Sequence, residues 1–574
     1  MTPRQALRQL CQQAGTPLEP PAPNQLYVRV VQDSALQTLS HTLHERDFYL
    51  VTLVATDERR LADNCFKLTY LFSHPTQDQF VFVENPIQGQ PENTYISLYS
   101  DFKALDPFER KLADLMGLYP RQERETARVR PGSWLHECYP PHLYPLRRDQ
   151  TAHKVQQALQ DHPPQEQAPP PPPPDGEWLL PVGPIHAGVI EPGRVLFRLA
   201  GEVVEELDIR LGYTHKGIER LFQTRHTLAD GWRLAEHVCG DSAFAHALAY
   251  CQAAEALAGA HPPRQAQLLR GLFLELERIA NHVGDCGALA HDVAYDAAAS
   301  ELAALREQFL RLNQKLSGHR LLRGLNRPGG LILPGPLDVA TARRTVSDLA
   351  AQFAEGARGL AQHPAFRDRL QWTGILTRQQ ALELGTTGLV ARASGVWRDF
   401  RLQHPTGVYR DPAVHQRIQQ ALPPDDDSIP ARQATAGDAL ARFLIRMHEV
   451  DAAAKVIAYI LQQPELNTEQ THFVTPIEFR QAPNLEFGLG YVQGWRGDVV
   501  YWLMKDKFER IFRCQARDPS MLNWPALKAA VEPHLLEEDY VKRHKPFQRH
   551  SDSIVPDFPV INKSFNLSYA GNDL

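Results

Sequence analysis

The sequence predicts an α+β protein built from two unequal parts. A small α+β N-terminal domain is joined by a Pro-rich linker to a large, mainly helical domain. Three observations predict this. β-rich runs crowd the first hundred residues, six consecutive prolines occupy 169–174, and long stretches after residue 227 carry apolar residues at helical spacing. The expected boundaries are 1–160, a linker at 161–177, and 178–574.

Residues 48–54, 66–72, 80–83 and 95–99 are rich in β-branched and aromatic side chains with partial alternation, so each predicts a strand. Residues 106–117 predict an amphipathic helix, with Asp106 as N-cap, Pro107 at its first turn and Gly117 at its end. Nothing in this part assembles a catalytic constellation, and it reads as a docking domain. The proline run favours an extended polyproline helix that cannot join a packed core, so the two parts are expected to fold separately. Residues 182–206 predict a short β section. Helices are expected over 227–258, 268–289, 298–316, 341–362 and 438–462, and a Gly-rich β-like piece over 486–492.

Composition narrows the function. A net charge of −6 argues against nucleic acid as a partner. Seven scattered cysteines with no Cys-x-x-Cys suit free thiols in a reducing compartment. The first residues lack an apolar segment, so no secretory signal is expected, and no run approaches the ~18 apolar residues a membrane span needs. Neither a Walker A motif nor a Rossmann glycine fingerprint occurs, which excludes nucleotide binding by those routes.

The most informative segment is Cys239-Gly240-Asp241-Ser242 with His246 four residues on. A cysteine at 242 would make it a two-thiolate metal signature. Around it stand Gly183-Pro184-Ile185-His186, Gly188-Val189-Ile190-Glu191-Pro192-Gly193, Gly212-Tyr213-Thr214-His215-Lys216-Gly217-Ile218-Glu219, Glu275-Leu276-Glu277-Arg278, Gly324-Leu325-Asn326-Arg327-Pro328 and Arg517-Asp518-Pro519-Ser520. In this order the chain resembles the large subunit of membrane-bound [NiFe] hydrogenases and the related 49-kDa subunit of complex I. Phe108-Glu109-Arg110, Asp114-Leu115-Met116-Gly117 and Tyr144-Pro145-Leu146-Arg147 resemble the 30-kDa subunit of complex I. The fusion of the two resembles the large-subunit layout of the formate hydrogenlyase hydrogenase.

The resemblance implies four cysteine ligands for nickel and iron. The matching positions here are Cys239, Ser242, Ser568 and Gly571. One thiol of four remains, and soft metals need thiolates. No Ni–Fe centre is therefore expected, and no metal or other cofactor on this chain. A [4Fe-4S] cluster is expected on a partner small subunit. The chain's last residues, Asn572-Asp573-Leu574, follow the second motif directly and fit a chain needing no maturation cleavage. Quinone reduction, the family's other chemistry, needs a histidine and a tyrosine at places that fall here at Ile190 or Glu191 and near Gly240. NAD-linked electron transfer belongs to the family at the level of the complex.

His186, Glu191, Asp241 and His246 are the candidate relay residues of the vacated pocket. His215, His237, His282, Glu202, Asp208 and Glu219 are further relay candidates, and Arg327, Arg392, Arg496 and Arg517 candidate salt-bridge partners. Cys239 reads equally as a buried thiol acting as a small hydrophobe, and His246 as a hydrogen-bonded core histidine. Three functions stay open: an energy-converting subunit without Ni–Fe that couples electron transfer to ion movement, a quinone-linked oxidoreductase with rearranged donors, and a non-redox scaffold. The resemblance implies as partners a small subunit with an Fe–S cluster, ferredoxin-like subunits and antiporter-like membrane subunits. It places the chain peripherally on the cytoplasmic side of the membrane.

Overall fold

The computed structural model describes residues 3–20, 22–87, 93–121, 133–135, 139–140, 142–161, 172–186, 190–422, 428–482, 486–546 and 550–574. Most of the linker, the first half of the proline run, Cys138 and loop residues 187–189 lie outside them.

The N-terminal part is a five-stranded mixed sheet in the spatial order Thr16–Leu18, Gln25–Arg29, Phe80–Ile87, Phe66–Ser73 and Tyr49–Asp57. Only the Gln25–Arg29/Phe80–Ile87 pair is parallel. Its three long strands are buried at every residue, which explains why their sequences run apolar rather than alternating. One face packs on helices Pro3–Ala14, Asp33–Glu45 and Asp106–Met116 through Leu7, Leu39, Leu43 and Leu112. The other packs Tyr49, Val51, Phe80 and Phe82 on Phe487, Leu489, Trp502 and Phe512 of the large part. Gly117, at φ +63°, closes the helix Asp106–Met116 as expected. Asp106 does not cap it: the N-cap position is Leu105, and the helix grows out of a 3-10 turn at Lys103–Leu105.

The large part opens with an antiparallel sheet of Glu177–Val182, Arg194–Ala200 and Val203–Arg210. Its centre is the 29-residue helix Arg264–Asp292, packed between Asp296–Ser317 and Ala439–Ile460. The single helix expected over 227–258 is broken. A short turn at Trp232–Ala235 leads into a loop, and Ala243–Ala258 begins afresh. The break has a chemical cause. Glu277 accepts the N–H groups of Phe244 (2.8 Å) and Ala245 (3.2 Å), supplying the cap that Ser242 does not.

Ala243–Ala258 is alanine-rich nearly all round because it is buried nearly all round, with Ala256 exposed near its end. It lies against strand Phe487–Gln493, the edge of an antiparallel sheet with Asp498–Lys505 and Ile511–Arg517. The glycines of that strand allow the approach. A Cβ on Gly488 would stand 2.0 Å from the Ala253 carbonyl oxygen, and one on Gly490 1.9 Å from that of Ala249. Among the described residues, no helix is long and apolar enough to cross a membrane.

Candidate functional site

The site forms where four chain segments converge: the loop before Ala243–Ala258, the Trp495–Asp498 turn, the end of strand Ile511–Arg517, and the C-terminal residues after helix Phe558–Phe565. Cys239, Ser242, Ser568 and Gly571 are brought together there, as the family pattern requires. Gly240 next to them is exposed, so the site lies just beneath the surface.

What fills the site is carboxylate, guanidinium and imidazole. Burial pushes the Cys239 thiol well above its ordinary value, and the Asp241 charge adds to the effect. The sulfur keeps its proton and donates it to Asp241 Oδ1 at 3.0 Å. Desolvation opposes charge on Asp241, but Arg496 outweighs it through a bidentate pair, Nη2 to Oδ2 at 2.8 Å and Nη1 to Oδ1, and holds the carboxyl below its usual range. Arg496 also lies over the Trp495 ring at 3.9 Å and reaches Ser242 Oγ at 3.4 Å.

Opposite Cys239, Asp518 is fully buried and accepts from His246 Nε2 at 3.0 Å and from the Ser520 N–H at 2.8 Å. Burial opposes its charge, and His246, Arg496 and Ser520 together more than compensate and hold the carboxyl below its usual range. His246 Nδ1 meets the Tyr501 hydroxyl at 3.0 Å, so both ring nitrogens are engaged. Asp518 explains the last degenerate position. A Cβ on Gly571 would stand 2.4 Å from Asp518 Cγ and 2.7 and 2.8 Å from its oxygens, so the carboxylate occupies the space of a side chain at 571. Ser568 now caps the final helical turn, its Oγ accepting the Gly571 N–H at 2.9 Å.

Glu191 and His186 join the same place from the loop after Val182. Glu191 Oε2 accepts the Ala570 N–H at 2.9 Å, and His186 Nε2 lies 3.4 Å from the Tyr569 hydroxyl. Thus Glu191, His186, Asp241 and His246 all border the degenerate motifs. The other relay candidates scatter. His215 bridges the Asp573 carbonyl (2.7 Å) and the Tyr139 hydroxyl (2.9 Å). His282 donates to Glu449 at 3.0 Å. Glu219 is a buried anchor between the two parts, accepting from Lys111 (2.7 Å) and Arg513 (2.8 Å). His237 and Glu202 are exposed, and Asp208 pairs with Arg210. None of these six reaches Cys239 by a direct contact.

Of the four arginines, Arg496 belongs to the site, Arg392 pairs with Glu449, Arg517 pairs with Asp498, and Arg327 stacks on Trp232 at 3.7 Å. Sequence reasoning missed Asp518, Tyr501 and Glu277 as site residues. The first stood inside a quoted motif, and Tyr501 carried no signal at all. Burial pushes the Glu277 carboxyl up to about 8 despite its two backbone donors, beside the loop that carries Cys239.

Comparison with known proteins agrees with this geometry. Residues 292–478 match the respiratory-chain NADH dehydrogenase 49 Kd subunit family, and residues 29–156 the 30 Kd subunit family. Formate hydrogenlyase subunit 5 of Escherichia coli is 27% identical over 88% of this chain and 84% of that protein. A subunit of the NADH-quinone oxidoreductase of Deinococcus radiodurans is 30% identical over 61% of this chain and 89% of that protein. The membrane-bound hydrogenase subunit alpha of Pyrococcus furiosus is 27% identical over 62% and 83%. A solved chain of the archaeal membrane-bound sulfane sulfur reductase shares the fold, with a TM-score of 0.57 at 24% identity, over 70% of this chain and all of that one. The chain belongs to the complex I 49-kDa and membrane-bound hydrogenase large-subunit family, with a 30-kDa-type domain fused in front of it.

Proposed function

We propose that this chain is the large peripheral subunit of a membrane-bound, complex-I-related oxidoreductase that works without a Ni–Fe centre and couples electron transfer to ion movement. The observation that carries this reading is the Asp518 carboxylate in the space of a side chain at 571. The donors at the four ligand positions are one protonated thiol, two hydroxyls and no side chain, a set that does not fit a centre of four thiolates. In its place stands a hydrogen-bonded group, Cys239 with Asp241 and Arg496, Asp518 with His246 and Tyr501, able to hold and pass a proton. Relatives named as parts of formate hydrogenlyase and of a membrane-bound hydrogenase support the setting. The partners in this reading are a [4Fe-4S] small subunit, ferredoxin-like carriers and antiporter-like membrane subunits on the cytoplasmic face.

Elemental analysis of the purified native complex tests this. Iron without nickel is the expected result, and stoichiometric nickel would overturn the reading. Glu191→Gln removes a carboxylate that binds the C-terminal motif through the Ala570 N–H. It is expected to lower the ions moved per electron, measured in membrane vesicles, while electron transfer itself persists.

A second reading is favoured by one observation. His186 and Tyr569 form a histidine–tyrosine pair, the two donor types a quinone headgroup takes, though not at the family's places. A quinone reductase activity of the complex that falls in Tyr569→Phe would favour it over the first reading, which expects no such change.

A further inference from the structure

A second site lies behind the Arg496 turn, at the junction of the two parts. A small enclosed void of about 10 Å³ is lined by Tyr49 and Leu50 of the N-terminal sheet and by Thr387, Arg398, Gln493 and Asp498 of the large part. That is room for one small, compact guest.

The walls are donors without acceptors. Among the described residues, Arg398 Nε and Nη1 and Gln493 Nε2 are buried and have no hydrogen-bond partner. The Gln493 amide is oriented by its other end, because Oε1 accepts the Phe400 N–H at 2.9 Å. Asp498 is the one carboxylate on the lining, and it is already paired with Arg517, whose own Nε and Nη1 are also unpartnered. Two buried guanidinium groups therefore share one carboxylate. Arg378 adds to the positive charge around Arg398 and Asp47 offsets part of it. The Tyr49 ring, 3.8 Å beneath the Arg398 guanidinium, offsets part of it.

A buried cation left unpaired is costly, and polar groups buried in the native state find partners. Water in the void would satisfy the N–H groups but not the charge. We propose that the void binds one small monatomic anion of the chloride class, held by Arg398 Nε and Nη1 and by Gln493 Nε2. Its place gives it a task. Asp498 follows Arg496 by two residues in a turn packed so closely on residue 388 that a Cβ on Gly388 would stand 1.9 Å from the Arg496 carbonyl oxygen. An anion shared by Gln493, three residues before Arg496, and by Arg398, which lies over Tyr49 of the N-terminal sheet, braces the entry to that turn.

The test uses the full-length chain. Potassium gluconate is replaced by potassium bromide at constant ionic strength, and thermal unfolding is followed. Bromide is expected to raise Tm by about 2–4 °C. Crystals grown in bromide are expected to show an anomalous peak within hydrogen-bonding reach of Arg398 Nε and Gln493 Nε2. Gln493→Glu, nearly isosteric, brings its own negative charge. It should abolish the bromide dependence and hold Tm in gluconate near the wild-type value in bromide. A water in the void with no anomalous peak, together with a Tm indifferent to bromide, would overturn the proposal. So would a bromide effect that persists unchanged in Gln493→Glu, since the halide would then be bound elsewhere.

Discussion

Two buried charged clusters lie close together in this molecule and differ in kind. Around Glu449, three carboxylates meet three arginines. Glu449 takes Arg278 at 3.0 Å, Arg392 and His282; Glu275 takes Arg278, Arg401 and the Tyr409 hydroxyl; Asp399 takes Arg401. Burial opposes charge on each acid, yet the arginines hold all three below their ordinary values. Such a cluster has no proton to give near neutrality. It ties helix Arg264–Asp292 to Ala439–Ile460 and to the residues around Arg392. Around Cys239 the groups are mixed. A thiol keeps its proton, two carboxylates are ionised, and Glu277 close by titrates at about 8. Balanced charge makes a brace, whereas mixed protonation states make a place where a proton can be held and moved.

The comparison breaks most visibly at Glu449. Glu449→Gln takes a shared carboxylate charge from Arg278, Arg392 and His282, and about 3–5 kcal/mol of stability is expected to be lost, read by denaturant unfolding of the chain. A loss under 1 kcal/mol would mean the cluster is not a brace. Gly571→Cys drives a side chain into Asp518. A loss of about 1–3 kcal/mol is expected, and adding Asp518→Gly should recover most of it; no recovery would show that Asp518 is not what fills the space.

Glu277 gives a pH signature. Its folded value lies above the unfolded one, so its contribution is full below pH 4.5 and declines as pH rises toward about 8. Glu277→Gln is expected to flatten the Tm profile across that window. An unchanged slope would assign the pH dependence to another group. The smallest effect belongs to Cys239→Ser, which keeps a donor to Asp241. Stability should change by no more than about 1.5 kcal/mol and metal content not at all; nickel lost with this change would mean that a metal is bound there after all.

Much of the fold was legible in the residues. The strands expected at 48–54, 66–72 and 80–83 and the helices expected at 268–289, 298–316, 341–362 and 438–462 all formed, most of them longer than their apolar patterns, because helix and strand ends are set by packing. Strands Asp498–Lys505 and Ile511–Arg517 were not anticipated. Buried on both sides, they lack the alternation that marks a half-exposed strand. The two parts, expected to fold separately, also pack on each other. They share an apolar layer, and Lys111 and Arg513 converge on Glu219 from opposite sides of the junction. Fragments cut within the linker are therefore expected to stay associated, as size-exclusion chromatography would show.

The sequence by itself determined the family, the order of the motifs and the presence of one thiol among Cys239, Ser242, Ser568 and Gly571, because these are statements about residue types at spacings along one chain. Only the tertiary structure decided what surrounds those four positions. Asp518 lies 53 residues before Gly571, Arg496 lies 255 residues after Asp241, and Tyr501 lies 255 residues after His246. Contacts at those separations leave no periodicity to read. They exist because two glycines let a strand rest on an alanine helix, and a carboxylate took the volume a missing side chain left free.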